Sequence, residues 1–445
     1  MRTKGISIQR NTSEAVICCD CNRRFDIACT KKAVLSRIFP KQLSYMTMNK
    51  FLVSQLGARE HYAVPLAFHA RQQLELFCSD FWANTFFRNV RKIPFCPRLL
   101  RNIAGRYHQE LPSRLVASLP LSWTLNSRSL VSRYPLWSFH CQNGQNFAEE
   151  VNRIVRERNI DCTSVNFWGF SCAALESINY WKTQGGKSVL DQVDPLEVEY
   201  EIVREEYEKW PNWEDQNCLP AADYIQRVRC EWHEATQIVV NSEWSRLALV
   251  KQGVSCDKLR VIPLAYNGKK VQGAKNFTPP EAPLRVLYLG SVMLRKGIQY
   301  LIEAARHLKD DVEIRVCGKI QINKDKLSNL PRNIRFLGQI SRLDTETYWQ
   351  WVDVFILPTL SDGFAMTQLE AMAHGVPVIT TDRCGDVVTH GIDGLLIPAG
   401  SSEAIAEALV YLAQNRHVLQ EMSAAAVKKI KMFSISQYQA NLGKL

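Results

Sequence analysis

From residue 284 onward, short apolar runs alternate with amphipathic ones. The runs 284–291 (LRVLYLGS), 313–318 (EIRVCG), 334–339 (IRFLGQ), 352–359 (VDVFILPT), 376–382 (VPVITTD) and 394–398 (GLLIP) are rich in Val, Ile, Leu and Phe and are bounded by turn residues. That pattern predicts strands covered on both faces. Between them, 298–308 (IQYLIEAARHL), 344–351, 366–375 and 402–415 repeat apolar positions every three or four residues, which predicts helices. Strand–helix alternation of this kind builds a parallel, doubly wound sheet. The first half repeats the theme less cleanly. Strands are predicted at 49–57, 74–81, 161–168, 187–194, 236–243 and 258–266, with helices at 64–73, 146–159 and 245–253 and a further helix between 168 and 187. Residues 82–140 are aromatic, basic and irregular, and read as helical pieces interrupted by Pro94, Pro97, Pro112 and Pro120. The polar, Gly- and Pro-containing stretch 267–283 reads as a linker. The expected organisation is therefore a Rossmann-like domain at 48–266, the linker at 267–283, a second Rossmann-like domain at 284–430, and a tail at 431–445 returning to the first domain.

Composition narrows this without changing it. The chain has 445 residues, which favours two domains, and 46% hydrophobic with 22% charged residues fits a globular protein. No apolar run approaches eighteen residues, and the basic N-terminus lacks the apolar core of a secretory signal. Fourteen cysteines scattered through a chain of this length read as free thiols in a reducing, cytoplasmic compartment. Cys18 and Cys21 form one Cys-x-x-Cys pair, but a structural zinc needs four ligands and no second pair follows nearby, so no metal site is expected. The net charge is +11, of which residues 1–47 carry +6, from nine basic and three acidic side chains. That segment has no periodicity and reads as a poorly ordered, Cys-containing extension, upstream of Met46 and Met48. Nucleic acid is not an expected partner, because a folded basic stripe with interleaved aromatics is missing.

Ligands of open α/β sheets sit beyond the carboxyl ends of the strands, so the strand-to-helix turns carry the candidate chemistry. The turn 288–297 (YLGSVMLRKG) offers Gly290 for close backbone approach and the cations Arg295 and Lys296 before a helix, a combination suited to phosphate. The turn 357–375 (LPTLSDGFAMTQLEAMAHG) places Asp362, Gly363 and Phe364 before a helix and Glu370 one turn inside it. Both acids are expected to face the cleft, where carboxylates accept sugar hydroxyls. The plain alternative is that Asp362 caps the helix and Glu370 is a solvated side chain.

These residues carry a resemblance. Asp362-Gly363-Phe364 through Glu370-Ala-Met-Ala-x-Gly-x-Pro-Val-Ile resembles the E-x7-E signature of family 4 glycosyltransferases, retaining enzymes of GT-B fold that use nucleotide sugars. Lys296-Gly297 is similar to the family's phosphate-binding Lys-Gly, FLGQI (336–340, with Gly338 and Gln339) to its nucleotide-base loop, and 382–398 to its Gly-rich stretch. Residues 235–266 look like the end of the family's N-terminal domain. The resemblance implies a fold of two Rossmann-like domains facing a central cleft. It also implies that Glu370 holds the donor ribose, Asp362 the transferred sugar and Lys296 the diphosphate. Asp362 is one methylene shorter than the usual Glu. Gly290-Ser291 stands where members often have Gly-Arg, and Arg295 is the candidate to supply that cation. No Asp-x-Asp sits at a strand end, so transfer is expected to need neither metal nor cofactor.

The acceptor side is expected at the turn 57–65, through Arg59, Glu60 and His61, with His61 either a base or an acceptor ligand, and at Asp194 beyond another strand. Residues 194–215 hold nine acids and two bases and read as an acidic solvated helix or, alternatively, an acceptor lid. A carbohydrate, lipid-linked or small-molecule acceptor fits, the lipid-linked case with peripheral membrane contact through the aromatic, basic residues 82–107. The competing readings are a GT-B nucleotide-sugar epimerase or phosphorylase, and a non-catalytic GT-B protein whose basic N-terminus binds nucleic acid.

Overall fold

A computed structural model of the chain describes residues 49–90, 103–130, 135–214, 219–268, 275–341 and 344–445. Residues 1–47, Cys18 and Cys21 included, lie outside them. Residues 48–445 form one unit. It contains two sheets in which every strand pairing is parallel.

The first sheet comprises β1 (Lys50–Gln55), β2 (Leu74–Ser79), β3 (Val116–Ser118), β4 (Val165–Phe170), β5 (Ser188–Gln192), β6 (Gln237–Val240) and β7 (Leu259–Val261). Its spatial order is β3-β2-β1-β4-β5-β6-β7. The second comprises β8 (Leu284–Leu289), β9 (Val312–Cys317), β10 (Ile334–Gly338), β11 (Val354–Leu357), β12 (Val378–Thr380) and β13 (Gly394–Leu396), in the order β10-β9-β8-β11-β12-β13. In each sheet the winding direction reverses beside the first strand, between β1 and β4 and between β8 and β11. Those two places are topological switch points, where a crevice opens above the carboxyl ends of the strands.

The apolar runs explain the layers. Leu52, Val53, Phe77, Phe167 and Leu190 in the first sheet are fully buried, as are Val286, Leu287, Ile314, Phe355, Ile356 and Ile379 in the second. Each such side chain contributes roughly 1.5–3 kcal/mol by leaving water. The long helix Leu136–Glu157 lies against the loop after β4 so closely that a Cβ on Gly144 would stand 2.1 Å from the Cys172 carbonyl oxygen.

Four features differ from the sequence reading. β3 was not expected within residues 82–140; three residues suffice because it is the outermost strand and only extends β2, pairing Phe77 with Val116. The helix expected at 146–159 begins at Leu136, ten residues earlier, where Trp137 and Cys141 of its first turns pack against the first domain's core. The strand expected at 161–168 runs from Val165 to Phe170, because Asp161 ties residues 161–165 into a turn, accepting from the amide and hydroxyl of Thr163. The acidic stretch forms the expected helix with Glu201, Glu205 and Glu208 exposed, but it is solvated on one face only. Its helix Glu197–Lys209 has Glu199 and Glu206 buried, and Val203, Tyr207 and Trp213 join the core of the second domain.

Within 82–107, Trp82, Ala83, Ile103 and Ala104 are buried and Phe86 is 71% exposed, while 91–102 lie outside the described residues. Among the described residues no helix is long and apolar enough to cross a membrane. The C-terminal helix Ile435–Leu442 leaves the second domain and packs on the helix Ala63–Ala70 of the first, adding Tyr438 and Leu442 to the cluster that holds Phe51 and Phe68.

Candidate donor and acceptor site

A cavity of about 500 Å³ lies between the two sheets at the β8/β11 switch point. The second domain lines it with Gly290, Ser291, Arg295, Lys296, Asp362 and residues 364–367; the first contributes Arg59, Glu60, Val193, Asn241 and Leu264.

The turn after β8 is shaped by close backbone approaches. A Cβ on Gly318 would meet the Gly290 carbonyl oxygen at 1.7 Å, and one on Gly297, at φ +73°, would meet the Pro358 carbonyl oxygen at 1.9 Å. Gly297 thus docks the Leu294–Lys296 turn onto the end of β11 and starts the helix Ile298–His307. This docking brings Lys296 Nζ to the Asp362 carboxylate, to which it donates a hydrogen bond. Arg295 Nη1 stands 4.0 Å from the same carboxylate and donates to the Ser361 carbonyl at 2.9 Å. Burial, reinforced by the neighbouring Arg295 charge, pulls the Lys296 ammonium down to about 7.

Beyond β11 the chain passes Asp362 and Gly363 and enters the helix Met366–Ala373 through Ala365, whose φ of +60° is strained for a residue with a Cβ. The cavity reaches residues 364–367, the start of that helix, where amide groups lack intrahelical partners. Gly363 is pressed against the first domain: a Cβ there would meet the Val193 carbonyl oxygen at 2.1 Å. Asn241 Nδ2 donates to that same oxygen, at 3.0 Å. The Phe364 ring is buried against Phe433 and so serves packing. Glu370 is half-buried on the same helix, one turn beyond the lining residues, and Gly338 and Gln339 stand at the end of β10, two strands from β8. None of these three lines the cavity.

On the first-domain wall, Glu60, His61 and Tyr62 run consecutively through left-handed backbone, at φ +50°, +51° and +67°. The sequence carries no glycine to signal this turn. It brings Glu60, with Arg59, to the cavity and leaves His61 exposed and off the lining. Burial pushes the Glu60 carboxyl up to about 7 against the opposing pull of Arg59; Tyr438, from the C-terminal helix, hydrogen-bonds it. Asp191, buried at the end of β5, is raised well above its ordinary value, by burial first and then by the Glu60 charge. Asp194 is spent on local structure. Its carboxylate accepts from the Leu196 amide at 3.0 Å and from Gln192 Nε2 at 3.2 Å, and burial raises it to about 6.

The sequence reading missed Glu199, Ser361 and Asn241, all buried near this cavity, and Asp191 beneath Glu60. Asn241 follows β6 directly, so the strand-end rule could have found it. Glu199 had no local signal. Among the described residues no group of three or more His, Cys, Asp or Glu has metal-binding geometry.

Residues 283–415 match the family described as "Glycosyl transferases group 1". The chain is 29% identical over 227 residues to a phosphatidyl-myo-inositol mannosyltransferase of Mycobacterium leprae, covering 48% of this chain and 59% of that protein. It is 29% identical over 147 residues to a 2-deoxystreptamine N-acetyl-D-glucosaminyltransferase of Niallia circulans, covering 31% and 38%. The chain thus spans about half the length of these curated relatives. Two solved structures superpose on most of it. One is a sucrose-phosphate synthase from Thermosynechococcus elongatus, with TM-score 0.59, 15% identity, and 89% of this chain and 98% of that one covered. The other is Anabaena HepE in complex with UDP-glucose, with TM-score 0.57, 16% identity, and 89% and 98% covered. The two facing parallel sheets of this chain are a GT-B fold, and its group 1 glycosyl transferase match falls on the domain that holds Lys296, Asp362 and Glu370.

Proposed function

We propose that this protein is a glycosyltransferase that moves a sugar from a nucleotide-sugar donor to a hydroxyl acceptor. The observation that carries the reading is the convergence of Arg295, Lys296 and Asp362 with the start of the helix Met366–Ala373 at the β8/β11 switch point. A donor diphosphate would lie over the two cations and the helix amides, which stabilise the negative charge that grows as the nucleoside diphosphate leaves. The chain's own positive groups perform this neutralisation in the proposed mechanism, so no metal ion or other cofactor is assigned to it. Asp362 would exchange its bond to Lys296 for the hydroxyls of the transferred sugar, while Glu370 would hold the donor ribose, as the resemblance of this segment implies. Retention of configuration rests on the same resemblance. Glu60 and Arg59 would meet the acceptor, with His61 and Asp194 beside them.

The full chain should gain thermal stability with one of UDP, GDP, ADP and their sugars, since a ligand that binds only the folded state raises its midpoint. UDP is the first to try, because UDP-glucose is bound by the HepE structure. The gain should vanish in Lys296→Ala and shrink in Glu370→Ala. A folded protein stabilised by none of them would sink the reading.

A further inference from the structure

Residues 197–214 leave the first domain between β5 and β6 and bury Val203, Tyr207 and Trp213 in the core of the second. Three acids of this arm meet the donor-side turn and the helix that follows it. Glu199, 6% exposed, accepts from Arg295 Nη1 at 3.2 Å and from Ser361 Oγ at 3.0 Å. Glu206 accepts from Gln299 Nε2 at 2.9 Å and from the Tyr300 hydroxyl at 2.9 Å. Glu214 accepts from the Leu294 amide and, at 3.3 Å, from the Tyr207 hydroxyl.

A buried carboxylate is costly unless it is paired, so these contacts restrict the conformations open to residues 294–300. The restriction is tightest at Arg295. Its carbonyl is fixed by the Leu360 amide at 2.8 Å and the Thr359 hydroxyl at 3.2 Å. Its Nη1 is held by Glu199 and the Ser361 carbonyl. A guanidinium is a rigid planar fork, so anchoring one nitrogen sets the direction of the others. Arg295 lines the cavity.

We propose that Glu199 is a positioning residue for the donor diphosphate. It reaches across from the acceptor domain and aims Arg295 into the cavity, so the diphosphate site is complete only while the two domains are engaged. This rests on the glycosyltransferase reading above and adds to it a donor site built by both domains.

The test is calorimetric titration of the full chain with UDP and with UMP, or with the diphosphate and monophosphate of whichever base the thermal panel ranks first. Glu199→Gln keeps the shape and removes the charge; Glu199→Ala removes both; Glu199→Asp is the conservative rescue. Glu199→Ala should weaken UDP on the order of ten-fold, about one charge-assisted hydrogen bond, and leave UMP nearly unchanged. Glu199→Gln should fall between it and wild type, and Glu199→Asp should recover part of the loss. In an Arg295→Ala background, Glu199→Ala should cost nothing more. A merely structural Glu199 would weaken both nucleotides alike, or lower the melting temperature alone, and either result overturns the assignment. So does an additive effect with Arg295→Ala. Wild-type protein that binds no nucleotide would remove the donor reading itself, whereas wild-type binding with unaltered variants would remove only the role of Glu199.

Discussion

Lys296 and Asp362 hydrogen-bond one another across the β8/β11 switch point, one from the turn after each strand. The pair is half-buried in a cavity that, in the proposed function, takes up a dianionic diphosphate. The two partners should therefore respond differently to substitution. Lys296→Ala should weaken nucleoside diphosphate by ten-fold or more, because it removes the cation and leaves Asp362 beside the ligand with only Arg295, at 4.0 Å, to offset its charge. Asp362→Asn should bind the diphosphate at least as tightly as wild type and lose turnover with the intact nucleotide sugar. Titration beside a transfer assay checks both, and equal losses of binding would show that Asp362 has no separate role.

Lys296 also predicts a proton count. Its ammonium titrates near 7 without ligand, and a diphosphate should restore it toward its ordinary range. Between pH 8 and about 9 the ligand-free side chain is largely neutral and the bound one charged, so binding should take up a proton of up to about one equivalent. Below pH 6 both states are charged and this uptake should disappear. Calorimetry at pH 8 in buffers of different ionisation enthalpy measures it, with Lys296→Met as the control.

Glu60 has the opposite sign. Its folded value, about 7, lies above the ordinary 4.5, so the folded protein binds more protons than the unfolded chain between those limits. Its contribution to stability is fully present below pH 4.5 and is lost as the pH rises through 7. Glu60→Gln should therefore flatten the fall in melting temperature between pH 5 and 8, and the variant should gain on wild type at the alkaline end. Parallel curves for the two proteins would place the titration elsewhere.

Two glycines test how the cleft is built. Gly297→Ala places a Cβ 1.9 Å from the Pro358 carbonyl in left-handed backbone, and should cost at least the roughly 1–3 kcal/mol of such strain, read by chemical denaturation. Gly363→Ala acts between domains, because its Cβ would meet the Val193 carbonyl at 2.1 Å. It should cost less stability than Gly297→Ala but more activity, by holding the two halves of the cavity apart. Equal activity losses at equal stability would contradict that division.

The second sheet was legible because its inner strands β8, β11 and β12 are covered on both faces, and such strands appear as plain apolar runs between turn residues. Lys296-Gly297 and Asp362 stood out for the same reason, since clear strands frame the turns that hold them; Glu370, expected to face the cleft, lies one turn beyond its lining. What escaped had no local signature. The left-handed run at Glu60, His61 and Tyr62 contains no glycine, so nothing in it announced that the chain would turn Glu60, and not His61, toward the cavity. Residues 194–215 looked solvated because a run of acids usually is. Glu206 has one local partner, Lys209, but Arg295, which pairs with Glu199, and Gln299 and Tyr300, which donate to Glu206, lie more than ninety positions later, in the other domain.

The crossing of the C-terminal helix bears on how the chain can fold as it is made. Arg71, just after the helix Ala63–Ala70, donates to the Gln439 carbonyl, 368 positions further on, and Tyr438 and Leu442 complete a core whose other members surround β1. The first domain, although its seven strands are synthesised first, must wait for the entire second domain to emerge from the ribosome before its hydrophobic surface is sealed. A nascent chain stopped at residue 430 would hold every strand of both sheets and still expose an unfinished face on the half that was made first.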